Sequence, residues 1–124
     1  MGYVGSVVVR ELALRHPSAT LHGYDTAYFA HCLTNAELLP ERYLDQQFMG
    51  DVRDIPADFF EGYTAVVQLA AISNDPMGDR FAAVTAEVNQ QATVEIAKAA
   101  AQAGVENFLF ASSCSIYGIG FFSF

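Results

Sequence analysis

Short apolar runs alternate with longer amphipathic stretches along this chain. Four runs, at residues 19–25, 48–54, 65–71 and 108–112, have the composition of β-strands, and the second passes into an acidic turn. The third is rich in β-branched residues, and the fourth ends in small hydroxyl residues. Both are typical of strands that are buried on both faces of a parallel sheet.

Two stretches have helical spacing. Apolar residues recur at every fourth position from Val4 to Leu12, which predicts a helix from about Tyr3 to Arg15. The longest helix is predicted from Phe81 to Ala103, and Gly104 stands where a helix commonly ends in glycine. Its apolar positions are Val88, Ala92, Ile96, Ala99 and Ala103. Alternating strands and helices with short links predict a single α/β domain over residues 1–124, with a doubly wound, Rossmann-like parallel sheet.

Composition narrows the class of protein. Of the 124 residues, 52% are hydrophobic and 16% are charged, as in a globular domain with a core. The net charge of −8 disfavours nucleic acid and anionic membrane surfaces as partners. No apolar run approaches the roughly 18 residues of a membrane helix. Cys32 and Cys114 lack CxxC spacing, and the histidines fit no metal-binding spacing. We therefore expect a cytoplasmic protein with free thiols and no metal.

The first candidate site is a glycine turn at the start of the first predicted helix. Gly2 and Gly5 have the spacing of the last two glycines of a phosphate-binding turn, but the strand and first glycine that should precede them are not in the chain. Asp25 follows about 20 residues later, where a dinucleotide fold places an acid for the adenosine ribose. Its charge would favour NAD over NADP. An ordinary strand-to-loop turn would also account for Asp25.

Other candidates follow the later strands. Small residues at the end of the third run, Ala70 and Ala71, leave room for a ligand against the backbone. A hydroxyl cluster after the fourth run, formed by Ser112, Ser113 and Ser115, lies where open α/β sheets bind ligands. The alternative for this cluster is a polar turn that caps the next element. The carboxamide of Asn89, in the long helix, could reach a cofactor or could be solvated.

Together these motifs resemble the extended short-chain dehydrogenase/reductase superfamily, in particular its NAD-dependent nucleotide-sugar epimerase/dehydratase family. The matching segments are Gly2–Ser6 (TGGxGYVGS), Asp25, Gly50–Asp54 (GDxRD), Val67–Ala71 (VxHLAA, with Gln68 for the frequent histidine), Asn89 with Thr93 (NxxxT) and Ala111–Gly118 (SSxxxYG). The resemblance covers nearly the whole chain.

The resemblance implies NAD as cofactor and a nucleotide sugar as substrate. It implies that the residues that bind NAD are Gly2, Tyr3, Val4, Gly5, Asp25, Asp51, Val52, Leu69, Ala70, Ala71, Ser73 and Asn89. Asp51 and Val52 would contact adenine. Ser113 would be the catalytic hydroxyl, and Ser115 would help to hold the sugar. A homodimer through the helix at residues 81–103 is a further expectation from the family.

The chain departs from the family pattern at its catalytic residues. The 4,6-dehydratases carry Asp-Glu after the catalytic hydroxyl, whereas this chain has Cys114 and Ser115, which favours epimerisation. The family's base is the tyrosine of a YxxxK motif. The sole lysine, Lys98, has Val94 at the tyrosine position, so this proton-transfer pair is absent. We expect a truncated and inactive enzyme.

The family's sheet order places its first strand between the strands that end at Asp25 and Ala71. Without that strand and the carboxyl-terminal substrate domain, the chain would be an internal fragment. Either the two halves of the sheet close up, or another segment fills the position. Two alternatives to the truncated enzyme stay open: an NAD-binding module without catalysis, and a nonfunctional gene-fragment product, which the phenylalanine-rich tail at Phe121–Phe124 favours.

Overall fold

The computed structural model describes residues 2–28, 39–73 and 80–113. In chain order, the helices and strands are α1 (Tyr3–Arg15), β1 (His22–Asp25), β2 (Gln46–Met49), β3 (Ala65–Gln68), α2 (Ala82–Ala86), a π-helical segment (Glu87–Ala92), α3 (Thr93–Gln102) and β4 (Asn107–Phe110). Short 3-10 turns span Pro40–Tyr43, Val52–Asp54 and Ala57–Phe60. None of the helices in these ranges has the length and apolar character needed to cross a membrane.

All four strands lie in parallel pairs, as the α/β pattern predicts. Strand β1 pairs with β2, with Asp25 opposite Met49, and β3 pairs with β4, with Val66 opposite Phe108. Each pair forms a separate two-stranded sheet within the described ranges. Among the residues that the structure describes, no strand hydrogen bonds therefore join the two halves of the predicted sheet.

Helix α1 has the bounds that the sequence predicts. Gly2, with φ −97° and ψ 174°, is the extended residue that precedes it. At the other end, the His16 amide donates to the Leu12 carbonyl at 2.8 Å, and Pro17 follows. The helix packs beside the 3-10 turn at Pro40–Tyr43, and none of its side chains is fully buried.

The core lies between the long helix and the 3-10 turns that follow β2. It consists of Val52, Phe60, Ala92, Ile96 and Ala100, the last only 1% exposed. The predicted apolar face of the helix is confirmed, because its other positions are partly buried against this cluster. The helix ends as predicted at Gly104, which has a φ of 81°. The Gly104 amide donates to the Ala101 carbonyl, and the Val105 amide donates to the Ala100 carbonyl. This pair of hydrogen bonds is the Schellman motif that commonly ends a helix.

The expected burial of β3 and β4 on both faces is wrong. Val66 and Phe108 pack against the core on one face. On the other face, Val67 is 37% exposed and Leu109 is 54% exposed. The side chains alternate because successive residues of a strand point to opposite faces. The long helix covers one of these faces within the described ranges, so a continuous apolar run here does not mean burial on both.

An aromatic cluster connects the two strand pairs. Phe59 lies edge-on to Tyr24 and Phe48, with ring centroids 5.3 and 5.0 Å apart, and stacks on Tyr63 at 5.7 Å. Tyr63 also makes a short hydrogen bond to His22 at the start of β1. Burial raises the pKa of the Tyr63 phenol above its ordinary value. The rings thus join β1 and β2 to the segment that leads into β3.

Candidate functional site

Several predicted site residues lie at the carboxyl ends of the four strands, with Asp25 as the last residue of β1. The Gly50 amide donates to the Asp25 carbonyl at 3.1 Å, which places the acidic turn after β2 beside the end of β1. In the other pair, the Ala111 amide donates to the Gln68 carbonyl at 3.2 Å. The segment after β4, which includes the exposed Ser113, therefore starts beside the segment after β3.

Asp25 shapes the turn that follows β1. Its Oδ1 accepts a hydrogen bond from the Ala27 amide at 2.6 Å. Ala27 has a φ of 55°, in the left-handed region that non-glycine residues rarely adopt. The structural alternative for Asp25, a strand-to-loop turn, is thus present. The ribose contact stays a prediction.

Asp51 is held by Arg53 in the turn after β2. Its Oδ1 accepts from the Arg53 amide at 2.9 Å and from Nε at 3.1 Å, while Oδ2 accepts from Nη2 at 2.7 Å. These hydrogen bonds, with Arg53's charge, hold the pKa of Asp51 below its ordinary value. The next residue, Val52, is buried in the core. The turn is therefore fixed at its backbone and at both carboxylate oxygens.

The Arg53 guanidinium also contacts the long helix. Its Nη1 donates to Oε2 of Glu87 at 2.7 Å. Glu87 is the first residue of the π-helical segment. Hydrogen bonds to the two carboxylates raise the pKa of Arg53 above its already high ordinary value. The sequence motif includes Arg53, but sequence reasoning gave no role to Arg53 or Glu87 because nothing in their spacing pairs them.

Asn89 lies two residues further along the same π-helical segment. Its Oδ1 accepts from the Ile72 amide, and its Nδ2 donates to the Ile72 carbonyl, each at 2.8 Å. The carboxamide is therefore bonded to protein backbone, and it supports the segment Leu69–Ser73 on which four predicted cofactor residues lie. Its direct contact with a cofactor stays a prediction.

Gln68 and Thr93 join β3 to the start of α3. Gln68 is 6% exposed, and its Nε2 donates to the Thr93 hydroxyl at 3.1 Å and to the Ala70 carbonyl at 3.4 Å. These two positions were singled out from the sequence only as parts of separate motifs. The structure shows that they pair, which fixes the end of β3 against the helix.

The glycine turn lies at the amino end of α1. Apart from its chain neighbours, none of the residues that the structure describes has an atom within 4 Å of where a Cβ on Gly2 would stand. A Cβ on Gly5 would lie 4.0 Å from Cδ1 of Leu69, which brings the first turn of α1 beside the segment after β3. The first amides of an α-helix have no acceptor within the helix. In α1 these are the amides of Tyr3, Val4 and Gly5, which have no acceptor within the helix.

Contacts thus connect most of the predicted residues around one edge of the fold. Hydrogen bonds join Asp25 to Gly50, the acidic turn to the π-helical segment, and that segment to Ile72. Leu69, in the same segment as Ile72, lies beside Gly5. Leu69 and Ala70 are half-buried, and Ala71 and Ser73 are exposed at this edge. Ser115, together with Cys114 and Tyr117, lies outside the described residues.

The family model described as "NAD dependent epimerase/dehydratase family" matches residues 1–121 of the chain. No curated protein sequence matches at a significant level.

Solved structures with the same fold include nucleotide-sugar enzymes. One is MoeE5 in complex with UDP-glucose and NAD, with 26% identity, a TM-score of 0.74 and coverage of 97% of this chain. Another is the dTDP-glucose 4,6-dehydratase DesIV from Streptomyces venezuelae with NAD and TYD bound, with 28% identity, a TM-score of 0.66 and coverage of 86%. A UDP-glucose-4-epimerase from Stenotrophomonas maltophila shares the fold at 23% identity, with a TM-score of 0.73 over 94% of this chain. The matched regions span only 36%, 35% and 36% of those chains.

Proposed function

Because the chain belongs to the NAD dependent epimerase/dehydratase family, we propose that it is the NAD-binding part of an enzyme that epimerises a nucleotide sugar. The observation that carries the proposal is the shared edge, where α1 begins, β1 ends in Asp25, and the segments after β2 and β3 are joined through one helix. This is the edge at which open α/β sheets bind ligands. The MoeE5 and DesIV structures, which hold NAD, support the choice of cofactor.

The described residues fit a dinucleotide. The space that the described residues leave open at Gly2, together with the first amides of α1, suits a pyrophosphate. Asp25 is proposed to accept hydrogen bonds from the adenosine ribose, and Asp51 with Val52 to contact adenine. Leu69, Ala70, Ala71 and Ser73 would border the cofactor, with Asn89 holding their backbone in place.

Bound NAD would supply a reversible hydride acceptor for a carbon of the sugar. The hydroxyl of Ser113 is proposed to hydrogen-bond the sugar oxygen that gives up its proton, and Ser115 to help hold the sugar. Cys114 and Ser115 replace the acid and base that a dehydratase uses to eliminate water, which favours epimerisation.

The chain itself is proposed to bind NAD without turning over a sugar. Proton transfer in the family needs a tyrosine whose pKa a nearby lysine lowers, and no YxxxK motif occurs in these 124 residues. An NAD-binding module without catalysis is therefore the second candidate function.

A fluorescence titration with NADH tests cofactor binding. We expect saturable binding by the chain, weaker binding by Asp25→Ala, and weaker binding of NADPH than of NADH. Asp58→Ala is the matched control, because Asp58 is exposed in the 3-10 turn at Ala57–Phe60. Equal affinity of the two variants for NADH would contradict the ribose assignment, and turnover of UDP-glucose by the chain would contradict the proposed inactivity.

We also propose that the chain dimerises through the long helix. Phe81, Val84 and Val94 are 46%, 38% and 46% exposed on it, which leaves apolar surface for a second copy. Light scattering after size-exclusion chromatography should give twice the 13.5 kDa chain mass, and Val94→Glu should reduce it. A monomeric mass for the unchanged chain would contradict this interface.

A further inference from the structure

Arg53 lies between two carboxylates that come from different parts of the chain. Asp51 belongs to the same turn, whereas Glu87 lies 34 residues away and opens the π-helical segment. The guanidinium donates at 2.7 Å to each of them, with Nη2 to Asp51 and Nη1 to Glu87. Since the guanidinium group is planar and rigid, a hydrogen bond at Nη1 limits the directions in which Nε and Nη2 can donate.

This arrangement differs from ion pairs within a single helix. The Glu11–Arg15 pair joins neighbouring turns within α1, and the Glu95–Lys98 pair joins neighbouring turns within α3. The Arg53–Glu87 pair instead joins the turn after β2 to the helix that also holds Ile72 through Asn89. One π-helical segment thus holds the segments after β2 and β3 at the same time.

We propose that Glu87 is a positioning residue for NAD, which orients the Asp51 carboxylate through Arg53 without touching the cofactor. The inference rests on the proposed function, in which Asp51 contacts adenine. Without Glu87, the half-exposed Arg53 side chain can rotate away from the plane that presents both of its hydrogen bonds to Asp51. Oδ1 of Asp51 then keeps the hydrogen bond from the Arg53 amide, but Oδ2 loses the donor that Nη2 provides, so the carboxylate is free to turn.

The exposure of the three side chains indicates how much their ion pairs contribute to the stability of the fold. Side-chain exposures are 38% for Arg53, 28% for Asp51 and 45% for Glu87. Ion pairs as exposed as this contribute little to folding, because water screens them. Loss of Glu87 should therefore leave the chain folded, so that a change in cofactor affinity can be measured on a stable variant.

The test compares Glu87→Gln with Glu95→Gln in the full chain. Both substitutions remove one negative charge and one ion pair from the same long helix, but Glu95 pairs with Lys98. NADH titration should show about three- to fivefold weaker binding for Glu87→Gln and no change for Glu95→Gln, since an exposed pair has an effect of this size. Urea unfolding should give the same midpoint for both variants.

A double-variant cycle separates positioning from a general structural effect. If Glu87 acts through Asp51, Glu87→Gln should cause no further loss of NADH affinity when Asp51→Asn is already present. A structural effect would weaken binding by the same factor in both backgrounds, and that result would overturn the proposal. Equal NADH affinity of Glu87→Gln and Glu95→Gln would overturn it while leaving the proposed function intact. Failure of the unchanged chain to bind NADH would overturn both.

Discussion

The side chain of Asn89 bonds to both backbone polar groups of Ile72, accepting from its amide and donating to its carbonyl at 2.8 Å each. A carboxamide can do this because it carries an acceptor and a donor side by side. The pair joins the π-helical segment to the segment that follows β3. The shape of that segment therefore depends on a residue 17 positions further along the chain.

Replacing Asn89 by alanine should destabilise the chain by about 1–3 kcal/mol, because it leaves two partly buried backbone groups of Ile72 without their partner. Asn89→Asp should also destabilise it, since a carboxylate accepts from the amide but cannot donate to the carbonyl. Urea unfolding followed by circular dichroism measures both effects.

The control for Asn89 is Gln90→Ala, which removes an exposed carboxamide from the next position of the same helix. Its free energy of unfolding should stay within about 0.5 kcal/mol of the unchanged chain. If Gln90→Ala lowers the free energy of unfolding as much as Asn89→Ala does, the change in the helix, and not the lost hydrogen bonds to Ile72, causes the destabilisation.

Alanine at Gly50 and at Gly5 should have opposite effects on stability. A Cβ on Gly50 would lie 2.7 Å from Cζ of Tyr24, so the ring would have to leave its contact with Phe59, at a cost of about 1–3 kcal/mol. A Cβ on Gly5 would lie 4.0 Å from Leu69, in ordinary contact, and alanine favours the helix by up to about 1 kcal/mol. Thermal unfolding of the two variants should therefore shift in opposite directions, and equal shifts would contradict this packing.

The stability contributed by Asp51 should depend on pH. Its pKa is lowered in the folded chain from the ordinary 3.8, mainly by the hydrogen bond from Arg53. The contribution of Asp51 to stability is therefore fully present above its pKa in the unfolded chain. It is lost as the pH falls through its lower pKa in the folded chain. Asp51→Asn should be slightly less stable than the unchanged chain at pH 7, by up to about 1 kcal/mol, and this difference should shrink as the pH falls below 3.8. Asp58→Asn, at an exposed position, controls for the loss of charge.

Tyr63 should produce a pH dependence at the alkaline end. Burial raises its pKa above the ordinary 10.0 in the folded chain. Its contribution is therefore fully present below pH 10 and is lost as the pH rises through the folded value. Unfolding free energies between pH 9 and 12 should fall less steeply for Tyr63→Phe than for the unchanged chain. Tyr3→Phe, at a side chain that is 92% exposed, should retain the full slope.

Local patterns in the sequence predicted the elements of this fold well. Apolar spacing predicted the bounds of α1, and Gly104 predicted the end of the long helix, because each depends on neighbours within one or two turns. The family resemblance is confirmed by the match over residues 1–121. The π-helical segment was not predicted, because Val88, Ala92 and Ile96 keep the four-residue spacing of an ordinary α-helix through it.

Contacts between distant residues could not be read from the sequence. Arg53 and Glu87 lie 34 positions apart, and at that separation the sequence does not distinguish oppositely charged residues that pair from those that do not. Burial was misjudged for Val67 and Leu109 because a strand's composition does not reveal how many of its faces are covered. The sequence therefore predicts individual site residues, whose roles stay predictions, but it does not predict the hydrogen bonds that connect them.

The pairing of each strand with one neighbour divides its backbone amides into two groups. In a strand, successive amides point to opposite sides, and Gln68 faces β4 because its carbonyl accepts from Ala111. Val66 faces the same way, whereas Ala65 and Val67 face away. Within the described ranges, deuterium uptake along β3 should therefore alternate, slow at even-numbered residues and fast at odd-numbered ones.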